Sequence, residues 1–267
     1  MSRSFASRLR RRKISTPPKL DLEKKLKRSE RELARVKNEF QDFVYSIAHE
    51  LSGPMRQASG FAEMILRNNE ATLDEKTKKH LNIILSSALN GRQSLEALRN
   101  FSSTLNLDLA FQKDVNLKNC VDEAIVKLEF ENIYHDVDIN VQELPCLTCD
   151  PESITQLFYE LLKNALIFKG EKQKAIISIK AAQTVNKQAW EISVQDKGIG
   201  IIPHRIEDIF KPFKRCHSRH EYAGDGLGLT IAKSIVKSHY GDIWIDESYV
   251  SGTQIIFTLW NDPLDLI

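Results

Sequence analysis

Residues 224–240, GDGLGLTIAKSIVKSHY, join a glycine-rich loop directly to an amphipathic helix. Gly224, Gly226 and Gly228 alternate with Asp and Leu, and the apolar residues that follow recur at helical spacing. The free N–H groups at a helix start attract phosphate, and glycine lets a ligand approach the backbone closely. The stretch therefore predicts a phosphate-facing loop that opens a helix.

Two further elements upstream predict a ligand site. DKGIG, residues 196–200, follows a predicted strand, and its glycines permit a turn close to a ligand. Residues 150–168 predict a helix with Asp150 as N-cap and Pro151 in the first turn. Glu160 and Asn164 share one face of that helix, either as a solvated pair or with Asn164 holding Mg²⁺ near phosphates. The sequence has no P-loop pattern, so that ATP-binding fold is not supported.

The region from residue 107 to 267 mixes helices and strands without strict alternation. The segments KAIISIKAA, AWEISVQD, GDIWIDES and TQIIFTLW predict strands, as does VDINVQEL, and a helix is predicted from residue 115 to 130. Such a mixture favours an α/β sandwich with a mixed sheet.

Residues 20–106 predict two long helices, the second from residue 75 to 103, joined at NNEATLDEK into a helical hairpin. The charged start of the first helix predicts a coiled-coil-like lead-in, and residues 1–19 predict a disordered basic tail. Each large apolar side chain left in water forgoes about 1.5–3 kcal/mol of burial. We therefore expect a homodimer whose hairpins form a four-helix bundle.

The stretch SIAHELSGP, residues 46–54, interrupts the packing pattern of the first helix. His49 and Glu50 are adjacent, and Pro54 lies one turn beyond them. Pro54 cannot donate a hydrogen bond to the carbonyl of Glu50, so we expect a bend there. Taken alone, His49 is better interpreted as a partly exposed helix histidine, and a chemical role for it depends on the other motifs of the chain.

Composition restricts the class of protein. The chain has 267 residues, 42% of them hydrophobic and 28% charged, with a net charge of +2, so no general preference for nucleic acid follows. No apolar stretch approaches the roughly 20 residues needed to span a membrane, and no secretory signal is visible, so we expect a cytoplasmic protein. Cys146 and Cys149 form a lone C-x-x-C without a second ligand pair, which favours reduced cysteines over a metal site.

The order YELLKNALIF, DKGIG, FKPF and GDGLGL resembles the ATP-binding domain of sensor histidine kinases, in the GHKL ATPase superfamily. The upstream segment FVYSIAHELSGPM resembles the H box of these enzymes, and residues 209–248 are similar to their phytochrome-like group. The resemblance implies an ATP-dependent protein-histidine kinase. It would autophosphorylate on His49 and pass the phosphoryl group to an aspartate in the receiver domain of a response regulator.

The resemblance also implies residue roles. His49 would be the phosphoacceptor, and Glu50 would take up or orient the proton on its other nitrogen. Asn164 would coordinate Mg²⁺, Asp196 would accept from the adenine amino group, and residues 211–224 would form a lid. The other residues implied at the nucleotide are Gly198, Gly200, Phe213, Lys214, Arg215, Gly224, Gly226, Leu227 and Gly228.

Four residues depart from the family pattern. Glu160 stands where Asn is common, Ile167 where Lys is common, and Asp225 where Thr or Ser is usual. They leave two alternatives open: a phosphotransfer scaffold with a decayed ATP site, or an ATPase in which Glu160 activates water. Gly53, where Thr or Asn is frequent, predicts weak phosphatase activity toward the regulator. We expect no sensor domain before the helices, and therefore a signal that comes from an upstream partner, through the lead-in, or not at all.

Overall fold

The computed structural model describes residues 19–69, 72–104, 109–131, 136–170, 174–216, 222 and 224–263. The predicted tail therefore lies outside the described residues, except for Lys19. Residues 217–221 of the predicted lid also lie outside them. The chain divides into two units, Met1–Phe40 and Gln41–Ile267. The described part of the first unit is the beginning of one helix. The predicted domain boundary at residues 106 and 107 falls in a gap and stays a prediction.

The helical hairpin has the predicted form. Helix α1 spans Lys19–Asn68 and continues through Pro54, and α2 spans Glu75–Thr104. Asp74 caps α2, because its side chain accepts a hydrogen bond from the Thr77 N–H at 2.9 Å. Val44, Ala48, Ala62 and Ala88 of the hairpin are buried, and Ala97 of α2 belongs to the core of the α/β domain.

Many large apolar side chains of the hairpin stay exposed in the single chain. These are Phe43, Leu51, Phe61, Met64, Ile65, Ile83, Ile84 and Leu89. A second hairpin that covered them would remove this surface from water, as the four-helix bundle predicted from the sequence requires.

The second half of the chain is an α/β sandwich with a mixed sheet, as predicted. In chain order its elements are β1 Gln112–Asn116, α3 Leu117–Phe130, β2 Val137–Val141, β3 Cys146–Cys149, α4 Pro151–Ile167, β4 Ala175–Gln183, β5 Ala189–Asp196, α5 Gly228–Ser238, β6 Ile243–Ile245 and β7 Gln254–Trp260. Five strands pair in the order β2-β4-β5-β7-β6, and β1 pairs with β3 apart from them. Only the β2–β4 pair of the five-stranded sheet is parallel.

Helix α4 lies over the sheet and carries much of the core. Asp150 accepts from the Ser153 N–H at 2.9 Å, which confirms the predicted N-cap. Phe158 packs its edge against Phe257 of β7, with ring centroids 5.9 Å apart. Because one face of α4 is fixed in the core, its polar side chains take defined positions at the edge of the sheet.

One predicted boundary was wrong. The helix predicted from Val115 begins at Leu117, since Val115 and Asn116 belong to β1 and pair with Leu147 and Cys146 of β3. The Asn116 side chain accepts from the Lys118 N–H at 2.9 Å and so caps the helix. Strand β1 has little intrinsic strand preference, and its pairing with β3 decides its conformation.

Candidate functional site

A cleft opens between α4, the end of β5, the start of α5 and the segment before it. We call it the α4–α5 cleft. Of the residues predicted at the site, its lining includes Glu160, Asn164, Asp196, Gly200, Lys214, Arg215, Gly224, Gly226 and Gly228. Residues from motifs that are distant in sequence therefore line one cleft.

Three predicted residues lie beside the cleft and do not line it. A Cβ on Gly198 would lie 2.3 Å from the Phe168 carbonyl oxygen, so only glycine fits there. Leu227 is fully buried in the core, and Phe213 is 44% exposed with a positive φ of 60°. Their contribution is to hold the backbone around the cleft.

The Asp196 carboxylate has a fixed orientation at the floor of the cleft. One oxygen accepts from the N–H groups of Gly198 at 2.8 Å and Thr253 at 3.1 Å. Burial raises the pKa of Asp196, and the hydrogen bonds from Gly198 and Thr253 oppose that rise. A carboxylate fixed in this way can accept a hydrogen bond from a ligand.

Glu160 is a buried acid at the opposite side of the cleft. Its side chain is 9% exposed and accepts from Gln156 Nε2 at 2.8 Å. Burial raises the pKa of Glu160 to about 7; the positive charge of Lys163 and the Gln156 hydrogen bond lower it, and Asp225 raises it further. An acid with a pKa near 7 is suited to take a proton at neutral pH.

Asn164 provides a polar group without a partner. Its side-chain nitrogen is buried and has no hydrogen-bond partner among the described residues. A Cβ on Gly228 would lie 2.8 Å from a Glu160 oxygen and 3.5 Å from this nitrogen, so α5 begins close to both side chains. The amide oxygen of Asn164 and the carboxylate of Glu160 are ligands that Mg²⁺ prefers, and the residues present fit this ion.

Asp225 has a local role in the glycine-rich loop. Its carboxylate accepts from the Leu227 N–H at 2.8 Å and so closes the turn before α5. Gly224 and Gly226 have φ of 132° and 78°, which glycine adopts without strain. Asp225, which stands where Thr or Ser is usual, therefore stabilises the turn of the loop. It also adds a negative charge near Glu160.

The part of the lid that the structure describes is tied together by Arg215. Its guanidinium donates to the carbonyl oxygens of Tyr222, at 2.6 Å, and Gly224. The Tyr222 ring lies against Phe168, with centroids 5.3 Å apart. To contact a phosphate group, as predicted, Arg215 would have to break these two hydrogen bonds. No side-chain hydrogen bond to a lid carbonyl is described for Lys214.

Sequence analysis missed several residues of the lining, among them Lys163, Phe168 and Thr253. Lys163 follows Glu160 by three positions, and helical spacing alone would have found it. Its Nζ donates to the Tyr159 hydroxyl at 3.0 Å, and that hydroxyl donates to Glu131 at 2.8 Å. Lys163 thus provides a positive charge in the cleft from α4. Ile167, on the same helix, occupies the position at which the family pattern has a lysine.

His49 and Glu50 lie on the hairpin and not in the cleft. Both are exposed on α1, and the ring of His49 is stacked with Tyr45, with centroids 6.4 Å apart at an interplanar angle of 20°. His49 lines a groove between α1 and α2 whose described lining shares no residue with that of the cleft. The phosphoacceptor predicted from the sequence is therefore accessible but separate from the nucleotide residues.

Cys149 and His239 are both buried in the α/β domain. Burial raises the pKa of Cys149 to about 12, and the residue packs inside the domain. His239 is 1% exposed; its Nε2 accepts from the Asp150 N–H at 3.1 Å and its Nδ1 donates to the Ile235 carbonyl at 2.9 Å. His239 therefore joins α5 to the start of α4 within the core. Among the described helices, none is long and apolar enough to cross a membrane.

Comparison with known families gives two matches. Residues 41–106 match the His Kinase A (phospho-acceptor) domain, and residues 149–263 match the histidine kinase-, DNA gyrase B-, and HSP90-like ATPase family. The first match contains His49, and the second contains the whole predicted nucleotide set.

Similar proteins include phytochromes. The phytochrome-like protein Cph1 of Synechocystis is 29% identical over 86% of this chain and 30% of its own length. Cyanobacterial phytochrome B of Nostoc is 31% identical over 85% of this chain and 30% of its own length. The chain thus spans less than a third of these relatives.

Solved structures share the fold. Histidine kinase ThkA, in complex with the response regulator protein TrrA, has a TM-score of 0.57 at 22% identity, over 88% of this chain and 67% of its own. Full-length ShkA in complex with AMPPNP has a TM-score of 0.54 at 17% identity, over 82% of this chain and 45% of its own. Residues 41–106 thus belong to the His Kinase A (phospho-acceptor) family and residues 149–263 to the histidine kinase-like ATPase family, in the order that the resemblance to sensor histidine kinases implies.

Proposed function

We propose that this chain is the catalytic core of a homodimeric, ATP-dependent protein-histidine kinase that phosphorylates its own His49. The observation that carries the proposal is the presence, in one chain, of an exposed histidine on a hairpin and a cleft with the nucleotide residues. The phosphoryl group would then pass to an aspartate in the receiver domain of a response regulator, as the kinase–regulator complex of the similar ThkA suggests. The reaction belongs in the cytoplasm, where ATP is available.

ATP is the proposed ligand of the α4–α5 cleft. The fixed Asp196 carboxylate would accept from the adenine amino group, and the N–H groups at the start of α5 would face the phosphates. Asn164 and Glu160 would hold Mg²⁺, which supplies positive charge to the phosphate oxygens when bound. The AMPPNP bound to the similar ShkA supports a nucleotide of this class.

The transfer step is an exchange of two bonds at phosphorus. A ring nitrogen of His49 attacks the γ-phosphorus, the nitrogen–phosphorus bond forms, and the bond to the ADP oxygen breaks as ADP leaves with the electron pair. Glu50 would accept or hold the proton on the other ring nitrogen. Because the groove and the cleft share no lining residue, the step requires either a movement of the hairpin or the cleft of the partner subunit.

Incubation with γ-labelled ATP and Mg²⁺ tests the proposal, with the wild type, His49→Gln and His80→Gln compared. His80 is an exposed histidine of α2 and controls for nonspecific labelling. We expect acid-labile, base-stable label on the wild type and His80→Gln, and none on His49→Gln. Unlabelled wild type that still binds ATP would contradict the proposal and favour a scaffold or a plain ATPase.

ATP hydrolysis without phosphotransfer is a second candidate, and buried Glu160 is the observation that favours it. A buried carboxylate whose pKa is about 7 can take a proton from water beside the phosphates. Phosphate release that survives His49→Gln and is lost in His49→Gln/Glu160→Gln would establish this activity. Equal release by both variants would exclude Glu160 as its base.

A further inference from the structure

We propose that Arg56, Arg92 and Arg99 form a cradle that holds the phosphoryl group once His49 is phosphorylated. The inference rests on the proposed function, since it concerns the state that the kinase reaction creates. It assigns a role to a groove that the motifs do not account for.

Helical spacing brings these side chains to one place. On α1, Tyr45, His49, Ser52 and Arg56 follow one another at intervals of four, three and four residues, so they form one stripe. On α2, Arg92, Leu95, Glu96 and Arg99 form a second stripe of the same kind. The two stripes line opposite sides of a groove of about 350 Å³.

The groove is large enough for a phosphoryl group with bound water. One water molecule needs roughly 10–15 Å³ by this measure, and the groove has about 350 Å³. His49 lines the groove next to Tyr45, with ring centroids 6.4 Å apart, so a phosphoryl group on its ring would lie at the wall of the groove.

Positive charges outnumber negative ones among the described residues that line the groove. Its described lining has three guanidinium groups and one carboxylate, that of Glu96. Glu96 pairs with Arg99 at 3.7 Å, while no ion pair joins Arg56 or Arg92 to any described residue. Like charges around one space repel each other, and a dianionic phosphoryl group would relieve this repulsion.

Guanidinium is the appropriate donor for this task. It stays charged and presents a planar set of N–H groups that fit phosphate oxygens. Ser52 is a poorer candidate, because its hydroxyl already donates to the Ala48 carbonyl at 2.6 Å. The arginines therefore supply the donors.

The cradle would lengthen the lifetime of the phosphohistidine. Hydrolysis of this group joins a water oxygen to phosphorus and breaks the phosphorus–nitrogen bond, whose electron pair returns to the imidazole with a proton. Protonation promotes that cleavage, which is why the bond is labile in acid. Neighbouring guanidinium groups favour the dianionic phosphoryl form and lower its pKa, so a smaller fraction is protonated at neutral pH.

The test loads His49 without ATP. The full chain in a His80→Gln background is phosphorylated with potassium phosphoramidate, and the ³¹P signal absent from His49→Gln is assigned to phospho-His49. The variants are Arg92→Gln/Arg99→Gln, Arg56→Gln and, as a matched control, Arg67→Gln in the last turn of α1. All four arginines are exposed, so a folding defect is not expected, and circular dichroism checks this.

We expect the double variant to raise the pKa of the phosphoryl group by about one unit and to shorten the half-life of phospho-His49 several-fold at pH 6. The difference should shrink in 1 M salt, where the Debye length is about 3 Å, and Arg67→Gln should resemble the wild type. Equal pKa values and half-lives in the double variant and wild type would overturn the cradle. Because the loading does not use the kinase, failure of autophosphorylation is a separate result that concerns only the proposed function.

Discussion

Replacement of Glu160 by glutamine should make the protein more stable, and increasingly so as the pH rises. The side chain is buried and accepts from Gln156 at 2.8 Å, a bond that the amide oxygen of glutamine can also accept. The carboxylate loses hydration when it is ionised in this place, whereas a neutral amide of the same shape does not. The substitution therefore removes a desolvation free energy that destabilises the folded protein only at the higher pH values at which the carboxylate is ionised.

The pKa values give the magnitude. The pKa of Glu160 is 4.5 in the unfolded reference and about 7 in the folded protein, and each unit is worth about 1.4 kcal/mol. A raised carboxyl pKa means that the folded protein retains a proton that the unfolded chain has lost, so stability falls as the pH rises from 4.5 to about 7. Relative to glutamine, Glu160 should cost about 1 kcal/mol at pH 5 and about 3 kcal/mol at pH 8.

Denaturant unfolding at pH 5 and pH 8 measures the effect, followed by fluorescence or circular dichroism for the wild type and Glu160→Gln. Glu191→Gln is the control, since Glu191 is an exposed acid on β5. We expect the advantage of Glu160→Gln over the wild type to grow by about 2 kcal/mol between the two values, and that of Glu191→Gln to stay constant. An advantage of Glu160→Gln that does not change with pH would refute the assigned burial cost.

Three further substitutions test the site and the core around it. Asp196→Asn should weaken ATP binding at least about tenfold, or about 1.4 kcal/mol, because an amide replaces the fixed acceptor; calorimetry measures this. Gly198→Ala should destabilise the fold by about 1–3 kcal/mol, since its Cβ would lie 2.3 Å from the Phe168 carbonyl oxygen; Gly53→Ala, with nothing within 4 Å, is the control for thermal unfolding. Burial lowers the pKa of His239, so its contribution to stability is present above the unfolded value of 6.5 and falls as the pH drops below it. His239→Gln should flatten the dependence of unfolding midpoints between pH 7.5 and pH 5.5, while exposed His204→Gln should leave it unchanged.

The elements that carry their own signals could be predicted from the sequence. Helix α4 has a capping aspartate, a proline in its first turn and a clear apolar face, and the structure begins it at Pro151 as expected. Strands β4, β5 and β7 are rich in β-branched and aromatic residues, which favour strands wherever they pack. The glycine loops could be placed because their conformations leave few other residue types.

Features that depend on tertiary partners could not be predicted. Strand β1 exists because it pairs with β3, and nothing in QKDVN indicates that partner. Arg215 was expected at phosphate, but the two lid carbonyls that it contacts come from residues seven and nine positions later. Arg92 and Arg99 of the groove are on another helix than His49, and no spacing rule within α1 could relate them to it.

The contact between the hairpin and the α/β domain joins the two halves of the proposed reaction. Ala97 and Asn100 of α2 line the same cavity as Glu160 and Asp225, beside the start of α5. A movement that brought His49 to the phosphates would carry α2 away from this cavity and admit water to it. Glu160 would then lose part of the burial that raises its pKa, and a larger fraction of its carboxyl groups would be ionised at pH 7. If the proposed transfer step takes this route, movement of the hairpin would increase the negative charge on Glu160, one of the two proposed Mg²⁺ ligands, in the state in which phosphoryl transfer requires the metal.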